Sequence, residues 1–508
     1  MAKSPSHPAH ASQALPGERP MTNHTVEKIG GTSMLRHEEL LENVLIGSRK
    51  GDDLYNRIFV VSAYGGITDK LLEHKKTGEP GVHALFASTD SEWAWGDALT
   101  GVGRDMQAIN AKVLDDTGDR RAADDFVRER IEGVRSCLID LSRLCSFGQF
   151  RLEEHLMTVR EMVSALGEAH SAMVTALLLR NRGVNARFVD LTGWRDDSQP
   201  SLDERICTAL EDVDFATEMP ILPGYAQCKE SLVKSHDRGY TEVTFARVAA
   251  LTEAREAVIH KEFHLCSADP KTVGLDKVRV IGRTNYDVAD QLSNMGMEAI
   301  HPRAAKGLRQ AGIPLRVRNA FRPQDSGTLI LDERGAPKPR VDMIAGLRGV
   351  FALQFFEQDM VGVKGYDAAI LEVLTRHKMR IVTKTCNANT ITHFIDGSMK
   401  SLKRVERDLA ERFPASEIEI ERVAIVSVIG RNLTAPGLTL RALQALSEAG
   451  IAPLGMQDLT RRVDLQFVID DKDYDGTLRT LHAALVESDI EAMGQDAPGS
   501  ETGLRDAA

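Results

Sequence analysis

Lys28-Ile29-Gly30-Gly31-Thr32-Ser33 is the stretch on which the reading of this 508-residue chain turns. A short apolar run ends in a cation, and two glycines follow whose missing side chains let backbone N–H groups come close to an anion. The next apolar run, Ile58-Phe59-Val60-Val61, is followed by a second glycine turn, Ser62-Ala63-Tyr64-Gly65-Gly66-Ile67-Thr68. A run with no polar alternation reads as a parallel strand covered on both faces. The helix that opens after it can point its N-terminus at the same anion. One Lys-x-Gly-Gly is most often a plain turn, but two glycine turns on successive strands describe a cradle of the kind a triphosphate needs.

Outward from these turns the chain alternates short apolar runs with helical periods, the pattern of an α/β domain with a mainly parallel sheet. Strands are expected at 26–29, 57–63, 186–190, 219–223, 257–261 and 314–318, and long helices at 156–182 and 241–253. Residues 72–150 read as a helical insertion whose charge runs, 115–121 and 128–132, form a solvated face. The charged, Pro- and Gly-containing stretch 332–340 reads as a linker that closes a first domain at about residue 331.

Beyond the linker Gly365, Leu371, Leu374 and Met379 correspond to Gly437, Leu443, Leu446 and Ile451 at a constant offset, within a repeated order of strand, glycine loop, helix and strand. Two copies of a small α+β unit are expected, at 341–420 and 421–490. Residues 1–24 and 491–508 read as flexible tails, and Met21 is an alternative start.

The formal net charge of −11 argues against a broad surface for nucleic acid or an anionic membrane, so an anionic ligand must be met by a local cluster of donors. The six cysteines (137, 145, 207, 228, 266 and 386) show neither a CxxC pair nor zinc spacing, which fits free thiols in a reducing cytoplasm. His260, Glu262 and His264 alternate along one strand without a third ligand, and no metal site is assigned to them. No run in the sequence approaches the roughly 18 apolar residues of a membrane span.

The two glycine turns together resemble the aspartate kinases of the amino-acid kinase superfamily, and further blocks in the family's order carry the resemblance from residue 26 to about 485. It implies an amino-acid kinase αβα sandwich over 25–331, followed by two α+β ACT-like domains of which the first can be inserted within the second, so that the boundary near residue 420 is soft. Leu166-Gly167-Glu168-Ala169-His170-Ser171 is similar to the family's Gly-Glu block, which makes Glu168 the partner of the substrate's ammonium. Asp237-Arg238-Gly239-Tyr240-Thr241-Glu242 resembles a Gly-Arg-Gly-Gly-Ser-Asp block. Arg238 would then grip the substrate's α-carboxylate, Thr241 would keep the block's hydroxyl, and Glu242, one methylene longer than the usual Asp, would orient Lys28.

Two departures stand out. His260-Lys261-Glu262-Phe263-His264-Leu265-Cys266-Ser267-Ala268-Asp269-Pro270-Lys271 replaces the family's usual nucleotide block, and Glu298 stands where a phosphate-binding lysine is usual. The rewritten string looks like that of the aspartate kinases associated with ectoine biosynthesis. Nucleotide contacts are expected from Lys28, Gly30, Gly31, Thr32, Ser33, His260, Lys261, Asp269 and Lys271, with Lys261 and Lys271 replacing the missing charge.

The activity implied is transfer of the γ-phosphoryl of ATP to the β-carboxylate of L-aspartate, with Mg²⁺ as cofactor, catalysed through Lys28, Arg238 and Glu242. Substrate would be held by Ser62, Thr68, Glu168, Arg238 and Thr241. A homodimer joined through the ACT-like domains is expected, and an amino-acid effector at Gln358, Asp359, Met360, Gly362 and Gly365. The alternatives are a sensor of the same fold without turnover, or a kinase for another amino-acid carboxylate.

Overall fold

The computed structural model describes residues 23–75, 77–88, 92–236, 239–297, 300–333, 339–458 and 461–487. The expected tails at 1–24 and 491–508 fall almost wholly outside these residues, as do Arg238, Glu298 and most of the linker.

The first sheet is built from β1 (Thr25–Ile29), β2 (Arg57–Val61), β3 (Ala186–Phe188), β4 (Met219–Pro223), β5 (Glu256–Lys261), β6 (Arg283–Asn285), β7 (Leu315–Asn319) and β8 (Thr328–Leu331). They lie in the order β3-β4-β2-β1-β5-β7-β8-β6, parallel throughout except where β7 meets β8. The continuous apolar run of β2 is buried at every position, as a central strand with helices on both faces requires.

One helical layer contains the insertion helices Val82–Ser88, Glu92–Val113 and Thr117–Cys145 together with Leu152–Asn181, packed on Ile29, Phe59, Val61 and Ile221. The other contains Tyr240–Leu251 and Pro302–Ala311, packed on Val26, Ile58, Val60 and Ile259. The helix Leu152–Asn181 is long and apolar enough to cross a membrane, but its apolar window is 89% buried inside the protein. One residue of the charged run 128–132 departs from a solvated face: Arg130 is buried, bonded to Asp190 at 2.5 Å and to Thr192 at 3.0 Å, and it pins the insertion to the end of β3.

The second sheet comprises β9 (Arg340–Phe356), β10 (Arg380–Cys386), β11 (Thr390–Asp396), β12 (Glu417–Arg431), β13 (Gly455–Asp458) and β14 (Asp464–Asp470), antiparallel in the order β10-β11-β9-β12-β14-β13. Gly365 and Gly437 both adopt left-handed φ values (+107° and +81°) and open the helices Tyr366–Arg376 and Leu438–Glu448.

The two copies do not follow one another along the chain. β9 and β12 each run through both: the first half of β9 pairs with the second half of β12, whose helix Leu438–Glu448 and strands β13 and β14 complete that copy. The first copy is inserted within the second, so no cut near residue 420 separates them. Among the contacts that tie the part of the chain around this sheet to the first domain, Thr284 Oγ1 donates to Asp342 Oδ2 at 2.9 Å, the Ile344 N–H donates to the Ser267 carbonyl at 2.8 Å, and Ser267 Oγ lies 2.8 Å from His482 Nε2.

Candidate active site

Parallel registry sorts the residues at the strand ends by face. Lys28 is paired with Ile259 and Ile29 with His260, so Lys28 and Lys261 project from one face of the sheet while Glu27 and His260 project from the other. On the first face Lys28 Nζ lies 3.3 Å from Glu242 Oε1, a carboxylate presented by the first turn of Tyr240–Leu251. The ammonium sits beside the glycine turn, where a methyl group added to Gly30 would be 3.9 Å away.

Glu242 Oε2 accepts the backbone N–H of His301. Burial pushes the Glu242 carboxyl upward, but the charges of Lys28 and Lys261 and the His301 N–H outweigh it and hold the group below its ordinary range. His301 joins this arrangement through its main chain, which a side-chain motif does not reveal. Its ring packs so closely on Gly239 that a methyl group there would lie 2.5 Å from Cδ2.

The two glycine turns form one unit. Gly65 N–H donates to the Gly31 carbonyl at 3.0 Å, and a methyl group on Gly31 would lie 2.5 Å from the Ala63 carbonyl oxygen. Only glycine allows the turns to close on each other so tightly. Thr32 is exposed beside them, whereas Ser33 is fully buried with its hydroxyl donating to Glu262 Oε1 at 2.8 Å. Its side chain is therefore committed within the protein, not offered to a nucleotide. Ser62 receives the Ser171 hydroxyl on its carbonyl at 2.8 Å, and Thr68 lies in the first turn of Ile67–Leu71.

Glu168 reaches the same place from the opposite helical layer. It is 2% exposed; Oε1 accepts the Thr241 hydroxyl at 2.7 Å, and Oε2 has no well-formed hydrogen bond. Burial pushes its carboxyl up to about 8, tempered by Thr241, by the Lys28 charge and by the nearby backbone N–H groups of Tyr225 and Ala63. Two glycines make room for it. A methyl group at 167 would lie 2.8 Å from Ala63 Cβ, and one at 224 would collide with the Thr241 methyl and lie 2.8 Å from Glu168 Oε2. The glycine that follows the run 219–223 is the visible trace of this second close approach.

A buried carboxylate oxygen with no donor is costly unless a cation arrives. The arrangement can therefore receive an ammonium at Glu168 and an anion at the glycine turns near Lys28 and Lys261.

Other expected contacts lie elsewhere. His260 is buried on the far face, its Nε2 2.7 Å from Glu27 Oε2, and burial lowers its pKa against the pull of that bond. Strand alternation puts it there: neighbours in β5 cannot share a face, and Lys261 is the one beside Lys28. Asp269 caps the short helix Pro270–Val273 by accepting the Lys271 N–H at 3.0 Å; that helix packs against the helix Tyr474–His482 that follows the second sheet's last strand, with Lys271 exposed. Gln358, Asp359 and Met360 form a single turn after β9, and Gly362 and Gly365 follow with φ of +86° and +107° beside the exposed Val361 and Val363.

The sequence profile of the amino acid kinase family matches residues 23–319. Aspartate kinase Ask_Ect of Stutzerimonas stutzeri is 51% identical to the chain over 464 residues, covering 91% of it and 98% of the relative. The aspartokinase of Saccharomyces cerevisiae is 24% identical over 93% of this chain and 95% of its own length. Among solved structures, E. coli aspartokinase III in complex with lysine and aspartate superposes with a TM-score of 0.68 at 17% identity, over 92% of this chain and 100% of that one. The same enzyme with aspartate and ADP gives 0.65, over 91% and 100%.

Proposed function

Given that the chain belongs to the amino acid kinase family, within which it is an aspartate kinase, we propose that the Lys28 face of the first sheet is where it transfers the γ-phosphoryl of ATP to the β-carboxylate of L-aspartate. The observation that carries this assignment is the pairing of Lys28 with Glu242 beside the Gly30-Gly31 turn, together with the unpartnered oxygen of Glu168.

Phosphoryl transfer through a loose transition state asks a protein mainly for alignment and charge neutralisation. The nucleophile, a carboxylate, is ionised near neutral pH and needs no general base. One of its oxygens forms a bond to the γ-phosphorus as the bond from that phosphorus to the β,γ-bridging oxygen breaks, giving 4-phospho-L-aspartate and ADP. Lys28 stabilises the charge on the transferring group, and Glu242 fixes where its ammonium points. The turn at Gly30, Gly31 and Thr32 supplies main-chain groups, and Lys261 adds positive charge on the same face. Bound Mg²⁺ would neutralise phosphate oxygens and needs few protein ligands.

Aspartate's ammonium meets Glu168 Oε2, and Ser62, Thr68 and Thr241 line the same end. Arg238, assigned by its place in the motif, takes the α-carboxylate through its planar fork of donors. The turn at 358–365 is the proposed effector site, and a homodimer joined through the second sheet is part of the same reading. The likeness to Ask_Ect, with the rewritten block at 260–271, supports a role in supplying ectoine biosynthesis.

A coupled ADP-release assay with aspartate, glutamate and N-acetylglutamate tests the assignment. Aspartate alone should support rapid release; release that does not depend on aspartate would refute it.

A further inference from the structure

Two turns before Glu168, on the same side of the helix Leu152–Asn181, stands a second buried-facing carboxylate that the mechanism above does not use. Seven residues at 1.5 Å per residue place Glu161 about 10 Å along the axis from Glu168, and the 3.6-residue period puts both on one stripe. Glu161 collects an unusual number of donors: the Tyr225 hydroxyl on Oε2 at 2.7 Å, and on Oε1 the Ser231 hydroxyl at 2.6 Å, the Val233 N–H at 2.9 Å and the Lys234 N–H at 3.3 Å. Accepting on both oxygens at once is what an ionised carboxylate, and not an amide, can do.

Tyr225 and Ser231 belong to the turn after β4, the segment that walls Glu168, and the Val233 and Lys234 N–H groups to the first turn of the short helix Leu232–His236 that follows it. Gly224 lies against Glu168 Oε2, and the N–H of Tyr225 lies near that carboxyl. The Tyr225 ring meets Tyr240 edge to face with centroids 5.7 Å apart, and the residue after Tyr240 is Thr241, which donates to Glu168 Oε1. On its other side the turn borders a cavity, although Tyr225, Ala226, Leu232 and Val233 are buried in the core. Tyr225, Gln227, Cys228 and Ser231 line a cavity of about 500 Å³, closed across the gap by Trp194 and by Cys137 of the insertion helix Thr117–Cys145. Beside the cavity the hydrogen bonds to Glu161 add to this packing in fixing the turn.

We propose that Glu161 is a positioning residue for the ammonium subsite, tethering the 224–233 turn so that Gly224, Tyr225 and Thr241 keep their places around Glu168. The inference rests on the reading of Glu168 as the ammonium partner and is tested beside it.

Initial-rate kinetics with both substrates varied decide the matter for Glu161→Gln, Tyr225→Phe, the double variant and Glu168→Gln. Glu161→Gln should raise the KM for aspartate about tenfold, the scale of one hydrogen bond to a charged group, while kcat and the KM for ATP stay within about twofold. Tyr225→Phe should give part of that rise, and the double variant should be no worse than Glu161→Gln because both changes cut one tether.

Parallel changes in the two KM values, or an unchanged aspartate KM in a folded Glu161→Gln protein, would overturn the proposal. Should Glu161→Gln not fold, Tyr225→Phe decides alone by whether the aspartate KM rises. A normal aspartate KM in Glu168→Gln would remove the ammonium reading and this inference together; a raised one there with a normal one in Glu161→Gln would remove only the tether.

Discussion

Glu27 and Lys28 are neighbours in β1, and each anchors a buried ion pair, one on either face of the same sheet. On the Glu27 face both carboxylate oxygens are saturated by donors, although His260 Nδ1 has no hydrogen-bond partner. Arg57 grips both oxygens of Glu27 at 2.7 and 3.0 Å and donates to the Val44 and Leu45 carbonyls at 2.7 and 2.8 Å, while His260 and Thr25 complete the carboxylate at 2.7 and 3.0 Å. Burial alone would raise the Glu27 carboxyl, yet Arg57 and His260 hold it well below the usual range.

On the Lys28 face a single 3.3 Å bond joins the ammonium to Glu242, the side chains remain 11% and 15% exposed, and Glu168 nearby keeps an oxygen without a partner. A closed network rigidifies the sheet; an open one leaves charge to be completed by a ligand. Burial and pairing alone do not separate scaffold from machinery, whereas the completeness of the bonding does.

The comparison breaks most visibly at Arg57. Arg57→Ala strands a buried carboxylate and should cost about 3–5 kcal/mol of stability by denaturant unfolding, while the protein that remains folded keeps near-normal kcat. Lys28→Ala should do the reverse, lowering kcat by roughly 10²–10³ or more and leaving the melting temperature nearly unchanged. If both variants lost stability equally, the contrast between the faces would be gone.

A subtler effect comes from Glu168. With its carboxyl at about 8 in the unliganded protein, it is largely protonated at pH 7, and a substrate ammonium favours the ionised form. The KM for aspartate should therefore fall about tenfold per pH unit as pH rises toward 8 and level off above it. The native state holds this proton while the unfolded chain has released it between about pH 4.3 and 8, so the group's contribution to stability is full below that window and is lost as pH rises through it. Aspartate should offset that loss, which thermal melts across pH would record.

The smallest effect is expected at His260. His260→Leu removes one of several bonds to Glu27, so it should cost about 1–2 kcal/mol and leave both KM values alone. A rise in the KM for ATP would return His260 to the nucleotide site.

Much of this was legible in order along the chain. The glycine turns, the apolar central strands and the paired glycines at 365 and 437 are local patterns, and β4 appears at 219–223 as expected. The strands β6 and β8 lie outside the expected set: β6 is the polar triplet Arg-Thr-Asn at a sheet edge, and β8 is four residues beside the stretch 332–340 that reads as a linker.

The misplacement of His260 came from treating a motif as a contiguous patch when strand alternation divides it between faces. Ser33 was assigned to the ligand because nothing local announces Glu262, which arrives from β5's far side of the sequence. The interleaving of the two C-terminal copies is invisible to an offset, which matches sequences but not strand partners, and only the family resemblance pointed to it.

The most direct test of the account follows the label. With ATP carrying radiolabel in its γ-phosphoryl group, and hydroxylamine present in a parallel reaction to trap acyl phosphate as the hydroxamate, the wild-type protein should form a hydroxylamine-sensitive labelled product only when aspartate is added. Lys28→Ala, shown to be folded by its melting curve, should form almost none. Label appearing only as inorganic phosphate in the wild type, or an equal yield of acyl phosphate from the folded Lys28→Ala protein, would contradict the account.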